Sequence, residues 1–145
     1  MTDTFDLSRF VDAQATAYST ALAELRAGHK RTHWIWFVFP QLKGLGRSTT
    51  ADHYGLSGLE EARAYLAHPL LGERLREATT AMLVHELQSA SVVLGELDAM
   101  KFRSCMTLFS RVEPSESLFG AALERFFNGE ADARTLELLK SRKTR

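Results

Sequence analysis

Apolar residues recur every three to four positions along most of the chain, which is the spacing of one face of an α-helix. The longest such stripe predicts a first helix over residues 7–27, which carries Val11, Tyr18 and Leu25 on its inner face and ends at Gly28. Further helices are predicted near residues 57–66, 69–82, 91–94, 99–110, 115–126 and 132–139. Because no alternating strand pattern interrupts them, the sequence predicts an all-α fold, a compact single-domain bundle of about seven or eight short helices without a sheet.

Several of these helices are preceded by a residue that can cap them. Ser57 with Glu60 has the spacing of a capping box, and Pro69 suits the first position of the helix that follows. The predicted caps are Thr32, Ser48 or Thr49 (for a short helix toward Tyr54), Ser57, Asp98 and Asp132.

The segment 32–39, Thr-His-Trp-Ile-Trp-Phe-Val-Phe, has an ambiguous period because every position after His33 is apolar. A buried strand is one alternative, but the rest of the chain offers no partner strand. The segment is therefore interpreted as a short buried helix that Thr32 begins and Pro40 ends.

The composition is that of an ordinary globular domain, with 45% hydrophobic and 25% charged residues in a chain of 145 residues. Residues 1–6 and 140–145 are expected to be flexible ends. The 18 basic and 18 acidic residues give no net charge, which argues against nucleic acid and anionic membranes as partners. No apolar run approaches the roughly 20 residues that span a bilayer. Because Cys105 is the single cysteine, a reducing compartment is favoured and a cytoplasmic protein is expected.

The five histidines do not predict a metal site. His29 and His33 are four residues apart, but Gly28 is expected to break the helix that would align them. Since paired cysteines and an HExxH motif are also missing from the sequence, neither a metal nor another cofactor is expected. Cys105 lies in an apolar stripe and is expected to be an inert core residue.

The first candidate site is the glycine loop, residues 40–47, together with the start of the helix that follows it. Gly44 and Gly46 allow the backbone to approach a ligand closely, and the N–H groups at a helix start favour an anion. Arg47 adds positive charge and Ser48 adds a hydroxyl. The alternative is a tight interhelical loop whose glycines satisfy turn geometry. This alternative stays open because the segment lacks the phosphate-loop motif of nucleotide hydrolases.

The second candidate site is a polar face on the predicted helix 99–110. Arg103, Ser104 and Thr107 lie opposite the apolar stripe on a helical wheel, and Lys101 flanks them. A guanidinium and two hydroxyls without a carboxylate suit an anion at the surface. The alternative is that the face is simply solvated, or that the hydroxyls bond back to the helix backbone.

The third candidate is the aromatic group His33, Trp34 and Trp36. A tryptophan gives a ligand a flat stacking surface, and a histidine titrates near neutral pH. His33 is therefore the candidate acid or base. The alternative is core packing, which is the usual role of an aromatic run.

Four segments of the chain resemble a known family. They are residues 33–48 (His-Trp-Ile-Trp-Phe-Val-Phe-Pro-Gln-Leu-Lys-Gly-Leu-Gly-Arg-Ser), 65–75, 98–109 and 126–136. In this order they resemble the signature segments of a bacterial and fungal family known as domain of unknown function 1810. The resemblance covers nearly the whole chain and implies a small, mainly helical, monomeric protein. It supplies no catalytic residues.

Two functions are compatible with these residues. The first is a small-molecule binding protein or an enzyme for an anionic ligand, nucleotide-like ligands included. It requires the candidates of the glycine loop, of the polar helix face and of the aromatic group to meet in one pocket. The residues concerned are Gln41, Gly44, Gly46, Arg47 and Ser48, then Lys101, Arg103, Ser104 and Thr107, with His33, Trp34 and Trp36. Arg47 would hold the anion.

The second function is a non-enzymatic module that binds another protein. It requires an exposed apolar patch, formed either by the tryptophans or by Leu118, Phe119, Phe126 and Phe127. The position of these side chains relative to the surface separates the two functions.

Overall fold

The computed structural model describes residues 5–143, and within this range it contains nine α-helices and no strand. The helices are α1 (Ser8–Ala27), α2 (Ile35–Val38), α3 (Thr49–Tyr54), α4 (Leu59–Ala67), α5 (Pro69–Leu83), α6 (Ala90–Leu94), α7 (Glu96–Val112), α8 (Ser117–Phe127) and α9 (Ala133–Lys143). An isolated parallel bridge joins Leu42 to Leu56. The prediction of an all-α fold is confirmed, although the described range contains more helices than predicted. None of these helices is long and apolar enough to cross a membrane.

Helix α7 lies at the centre of the fold and packs against α2, α4, α6, α8 and α9. Its inner face is fully buried, and Phe102 meets Phe39 edge to face with ring centroids 4.8 Å apart. Cys105 lies on the same buried face, where burial raises the pKa of its thiol. This agrees with the expected core role of the cysteine, because a buried thiol ionises poorly.

Several helix ends follow the sequence closely. Gly28 ends α1 in the left-handed conformation with φ of 79°. The Ser48 hydroxyl accepts the Ala51 N–H at 3.0 Å and so caps α3, while Pro69 occupies the first turn of α5. These predictions are confirmed. Each depended only on local backbone chemistry, which the sequence shows directly.

Two predicted caps are wrong. In one case the side chain binds another group, and in the other a different residue occupies the N-cap position. Thr32 does not cap α2, since its hydroxyl donates to Glu24 at 2.7 Å. Ser57 does not cap α4, whose N-cap is Gly58. The carboxylate of Glu61 instead accepts the Ser57 N–H at 2.8 Å.

Asp98 is a third wrong cap. Helix α7 begins two residues earlier, at Glu96, after Gly95 with φ of 89°. Asp98 therefore lies in the first turn of the helix, where its carboxylate is 2.7 Å from the ammonium of Lys30. A long-range ion pair takes the side chain that local spacing had assigned to a cap.

Helix α9 extends into a segment for which a flexible end was expected. A flexible end was expected from residue 140, but α9 continues to Lys143. Arg142 of this helix donates to the carbonyl oxygens of Lys43 and Ser57, the latter at 3.2 Å. Residues 1–4 and 144–145, which belong to the predicted flexible ends, lie outside the described residues.

A buried ion pair joins α1 to α4. The Arg9 guanidinium lies 2.9 Å from the Glu61 carboxylate, and both side chains are nearly inaccessible to solvent. Arg9 also donates to the carbonyl oxygens of His53 at 2.8 Å and Gly55 at 3.1 Å. The pair therefore fixes the segment between α3 and α4 against the first helix.

Candidate anion-binding cleft

A cleft of about 210 Å³ lies between the glycine loop, α7 and the start of α9. Its polar wall is formed by Gln41 from the loop, Lys101 and Ser104 from α7, and Asp132 and Arg134 at the start of α9. Three segments far apart in sequence thus place an amide, a hydroxyl, two cations and one carboxylate around one space.

The mouth of the cleft is apolar. Leu97 and Met100 of α7 are 74% and 65% exposed, and Leu45 of the glycine loop faces them. Large exposed apolar side chains beside a polar space suit a ligand that carries both kinds of surface.

The charge of Lys101 is only partly balanced. Its ammonium lies 3.6 Å from the Asp98 carboxylate, which also binds the ammonium of Lys30 at 2.7 Å. Lys30 is almost fully buried and lies over the ring of Trp34, 5.1 Å from the ring centroid. Because one carboxylate serves two ammonium groups, this side of the cleft keeps an excess of positive charge.

The first turn of α9 adds to that positive potential. Asp132 caps the helix, since its carboxylate accepts the backbone N–H of Thr135 at 2.9 Å and its hydroxyl at 2.6 Å. The N–H groups of Ala133 and Arg134 have no acceptor within the described part of the chain. Such N–H groups form the positive end of the helix dipole, which favours an anion.

Gln41 is the most unusual polar residue of the cleft. It is only 8% exposed, yet its carboxamide has no hydrogen-bond partner among residues 5–143. Gln14, the other buried glutamine, donates to the Phe37 carbonyl at 2.6 Å and to the Tyr65 hydroxyl at 3.1 Å, and accepts from Arg74 at 3.3 Å. Every fully inaccessible side-chain polar atom of the described residues has a partner, so the amide of Gln41 reaches the solvent of the cleft and is open to water or to a ligand.

Four of the residues predicted as ligand-binding candidates do line this cleft, namely Gln41, Gly46, Lys101 and Ser104. Gly46 is required for packing, because a Cβ at this position would come within 2.6 Å of the Ala51 Cβ. Gly44 has φ of 99° in a turn of the loop. It lies beside the cleft, since its carbonyl oxygen is 3.5 Å from the Arg134 guanidinium.

Arg47 and Ser48 do not reach the cleft. Both are exposed, and the Ser48 hydroxyl is occupied by the cap of α3. The expectation that Arg47 holds the anion is therefore not supported by its position. Spacing placed these residues near a helix start, but the cleft is formed at the start of a different helix, α9.

The polar face of α7 was predicted to lie at the surface, but its two hydroxyl residues are buried. Ser104 and Thr107 are 6% and 0% exposed, because the segment before α9 covers this face. Their hydroxyls donate to the carbonyl oxygens of Met100 at 3.1 Å and Arg103 at 2.8 Å, as the alternative interpretation stated. Arg103 is held by the Glu130 carbonyl at 2.8 Å and does not line the cleft.

The aromatic group is separate from the cleft. Trp34 is 1% exposed and packs in the core, so it offers no stacking surface, while Trp36 is half-buried. His33 is exposed and lies outside the cleft, and no histidine lines it. A role for His33 as acid or base therefore has no support from its position.

A larger cavity of about 720 Å³ lies elsewhere, between the start of α4 and the end of α9. Its cations have acceptors, as those of the smaller cleft do: Arg63 binds Glu60 at 2.6 Å, and Arg142 donates to the carbonyl oxygens of Lys43 and Ser57. Unlike the smaller cleft, it contains no buried polar residue comparable to Gln41. The smaller cleft is therefore the better candidate site.

The sequence interpretation missed Arg134, and a signal was present. A cation in the first turn of a helix opposes the helix dipole, and the Asp132 cap is the one carboxylate at the start of α9, whose first turn has no acidic residue. Arg134 is better accommodated when an anion is nearby.

Within residues 5–143, no group of three or more His, Cys, Asp or Glu side chains is placed to hold a metal ion.

The profile of a family described as "Protein of unknown function (DUF1810)" matches residues 4–139. The chain belongs to the DUF1810 family. Its fold is also similar to the crystal structure of the conserved hypothetical protein Rv1873 from Mycobacterium tuberculosis, with 50% identity and a TM-score of 0.93. That similarity covers 95% of this chain and 99% of the mycobacterial chain. No curated protein matches this DUF1810 chain significantly.

Proposed function

We propose that this DUF1810 protein binds a small anionic molecule in the cleft between the glycine loop, α7 and α9. The observation that carries the proposal is the meeting of Lys101, Arg134 and the first turn of α9 around one space that also holds the unpaired Gln41 carboxamide. Charge-assisted hydrogen bonds from such groups are the usual means of holding a carboxylate or a phosphate.

The size of the cleft favours a small ligand. A volume of about 210 Å³ corresponds to roughly seven water molecules at about 30 Å³ each, and it is below the roughly 300–1,000 Å³ typical of pockets that enclose drug-sized molecules. A nucleotide would place only its phosphate inside. A carboxylate or phosphate ester with a short apolar part fits both the polar wall and the apolar mouth.

The chemistry favours binding over catalysis. Asp132 is the one carboxylate of the cleft wall, and one of its two oxygens, Oδ2, is used by the cap of α9. The Ser104 hydroxyl donates to a backbone carbonyl rather than to a base. Since the wall lacks a nucleophile beside a base, the groups present hold a ligand but do not activate one.

The apolar surface predicted for the alternative function, a protein-interaction module, is buried in large part. Trp34 and Phe119 are buried, and Leu118, Phe126 and Phe127 are only partly exposed. The large apolar side chains that are exposed lie at other positions. These are Leu70, Val84, Leu87, Val92, Leu97 and Met100.

A thermal-shift screen tests the proposal. The panel contains inorganic phosphate, short carboxylates, sugar phosphates, nucleotides and ADP-ribose. We expect small anions to raise the melting temperature, and we expect Arg134→Ala and Lys101→Met each to weaken their binding about tenfold, which is the loss of one charge-assisted hydrogen bond.

Arg47→Ala is the matched control, because Arg47 is an exposed cation of the same loop region that lies outside the cleft. Binding in this variant is expected to equal that of the wild type. Stabilisation that survives both cleft substitutions, or that disappears in the control, would contradict the proposal.

A further inference from the structure

Gln41 presents a hydrogen-bonding group that the protein itself leaves unused. The residue is 8% exposed and lines the cleft, and its carboxamide, which reaches the solvent of the cleft, meets no partner within residues 5–143. Only the backbone of Gln41 is engaged, with its carbonyl oxygen accepting the Leu56 N–H at 2.9 Å. The backbone bond fixes the residue at the cleft wall while the amide group stays available.

Gly46 lies beside that amide. A Cβ on Gly46 would lie 3.6 Å from the Gln41 Nε2 atom, which is ordinary van der Waals contact, but 2.6 Å from the Ala51 Cβ, which is too close. The packing of the loop on Ala51 therefore requires the glycine, and this packing places the amide at the cleft wall.

A neutral carboxamide is not the group that binds the charge of an anion. It offers one acceptor oxygen and two N–H donors, and it pairs best with a group that both donates and accepts. A ligand that covers the amide without pairing it displaces its water and returns no hydrogen bond. A site with such a group rejects ligands that cannot satisfy it.

We propose that Gln41 makes the cleft selective for small anions that carry a second, uncharged hydrogen-bonding group, namely a hydroxyl or an amide. This inference rests on the proposed function, since Lys101 and Arg134 must hold the anionic end of the same ligand. The ligand class is therefore a hydroxylated or amidated short-chain carboxylate or phosphate ester.

Matched ligand pairs test the selectivity by calorimetric titration. Succinamate is compared with isocaproate, which replaces the amide by an isopropyl group of the same shape, and glycerol phosphate is compared with propyl phosphate. The wild type is expected to bind the polar member of each pair about tenfold or more tightly. In Gln41→Met, which keeps the side-chain length, the ratio is expected to fall below about twofold.

The outcomes separate the two proposals. If no member of either pair binds, the proposed function fails together with the selectivity. If both members bind the wild type equally, or if Gln41→Met keeps the full preference, the anion site stands and the role of Gln41 is overturned.

A measurement on the wild type covers the case in which the variant does not fold. The side-chain NH₂ resonances of Gln41 are followed by NMR during titration. They are expected to shift with succinamate and to stay in place with isocaproate. Equal shifts with both ligands would overturn the role of Gln41.

Discussion

The indole nitrogen of Trp34 donates a hydrogen bond of 2.9 Å to the carboxylate of Glu24. The same carboxylate accepts the backbone N–H groups of Arg31 at 2.8 Å and Thr32 at 3.1 Å. Glu24 therefore fastens the segment between α1 and α2 to the end of the first helix. It also explains how a tryptophan with a polar N–H can be buried in the core.

Glu24→Gln is expected to reduce stability at neutral pH and to flatten its acid dependence. Burial raises the pKa of Glu24, but the hydrogen bonds from Arg31, Trp34 and Thr32 outweigh it and lower the pKa from 4.5 to about 2. A lowered carboxyl pKa stabilises the fold above pH 4.5, and this contribution is lost as the pH falls toward 2. Allowing for partial exposure, the contribution is on the order of 2 kcal/mol.

Urea denaturation between pH 7 and pH 2 measures this effect. Glu73→Gln is the matched control, because Glu73 is exposed and its carboxylate makes no hydrogen bond or ion pair with the described residues. Only the Glu24 variant is expected to lose part of the acid-induced change in unfolding free energy. An acid dependence identical in wild type and Glu24→Gln would contradict the role of this carboxylate.

Glu61→Gln is expected to destabilise the fold by about 3 kcal/mol, because it leaves the buried charge of Arg9 without its partner. Glu60→Gln is the neighbouring control. The Glu60–Arg63 pair is 82% and 53% exposed, so its loss is expected to change stability by less than about 1 kcal/mol. Chemical denaturation gives both values. Equal effects of the two substitutions on the free energy of unfolding would show that the buried Arg9–Glu61 pair stabilises the fold no more than an exposed pair does.

Two glycine substitutions should have opposite effects on stability. A Cβ on Gly72 of α5 would collide with the carbonyl oxygen of Leu66 at the crossing with α4, whereas a Cβ on Gly120 of α8 would meet no atom within 4 Å. Gly72→Ala is expected to destabilise by more than about 2 kcal/mol, and Gly120→Ala to stabilise by about 0.5–1 kcal/mol. Thermal unfolding of both variants checks the sign, and a stabilised Gly72→Ala would contradict the close helix crossing.

Gln41→Met is expected to change the stability of the ligand-free protein by less than about 0.5 kcal/mol, since the amide bonds to no protein group and reaches solvent in the cleft. Ligand selectivity should be lost without a loss of stability. Gln14→Met is the comparison, because the Gln14 amide is fully hydrogen-bonded and its loss should destabilise. A destabilisation of Gln41→Met as large as that of Gln14→Met would show that the Gln41 amide is bound within the protein.

The sequence predicted those parts of the fold that depend on local chemistry. The end of α1 at Gly28 and the cap of α3 by Ser48 follow from backbone conformation and side-chain reach within a few residues. The caps assigned to Thr32 and Asp98 failed because Glu24, eight residues before Thr32, and Lys30, far from Asp98 in the sequence, bind those side chains instead. Local spacing does not show such competition.

The candidate site was predictable only in part for a related reason. A helical wheel placed Ser104 and Thr107 on a polar face of one helix, but it did not show that the segment around Asp132 covers that face. Arg134 was missed although a cation at a helix start is an unfavourable choice without an anion. Gln41 was identified in the loop, but its lack of a partner is a property of the folded structure alone.

The location of anion binding tests the central claim most directly. An NMR titration of the ¹⁵N-labelled protein with glycerol phosphate reports on every backbone amide at once. The claim predicts that the largest shifts fall on Ala133 and Arg134 at the start of α9 and on the side-chain amide of Gln41, and that Arg134→Ala removes them. Largest shifts at Gly58 and Leu59, in the larger cavity at the start of α4, would contradict it.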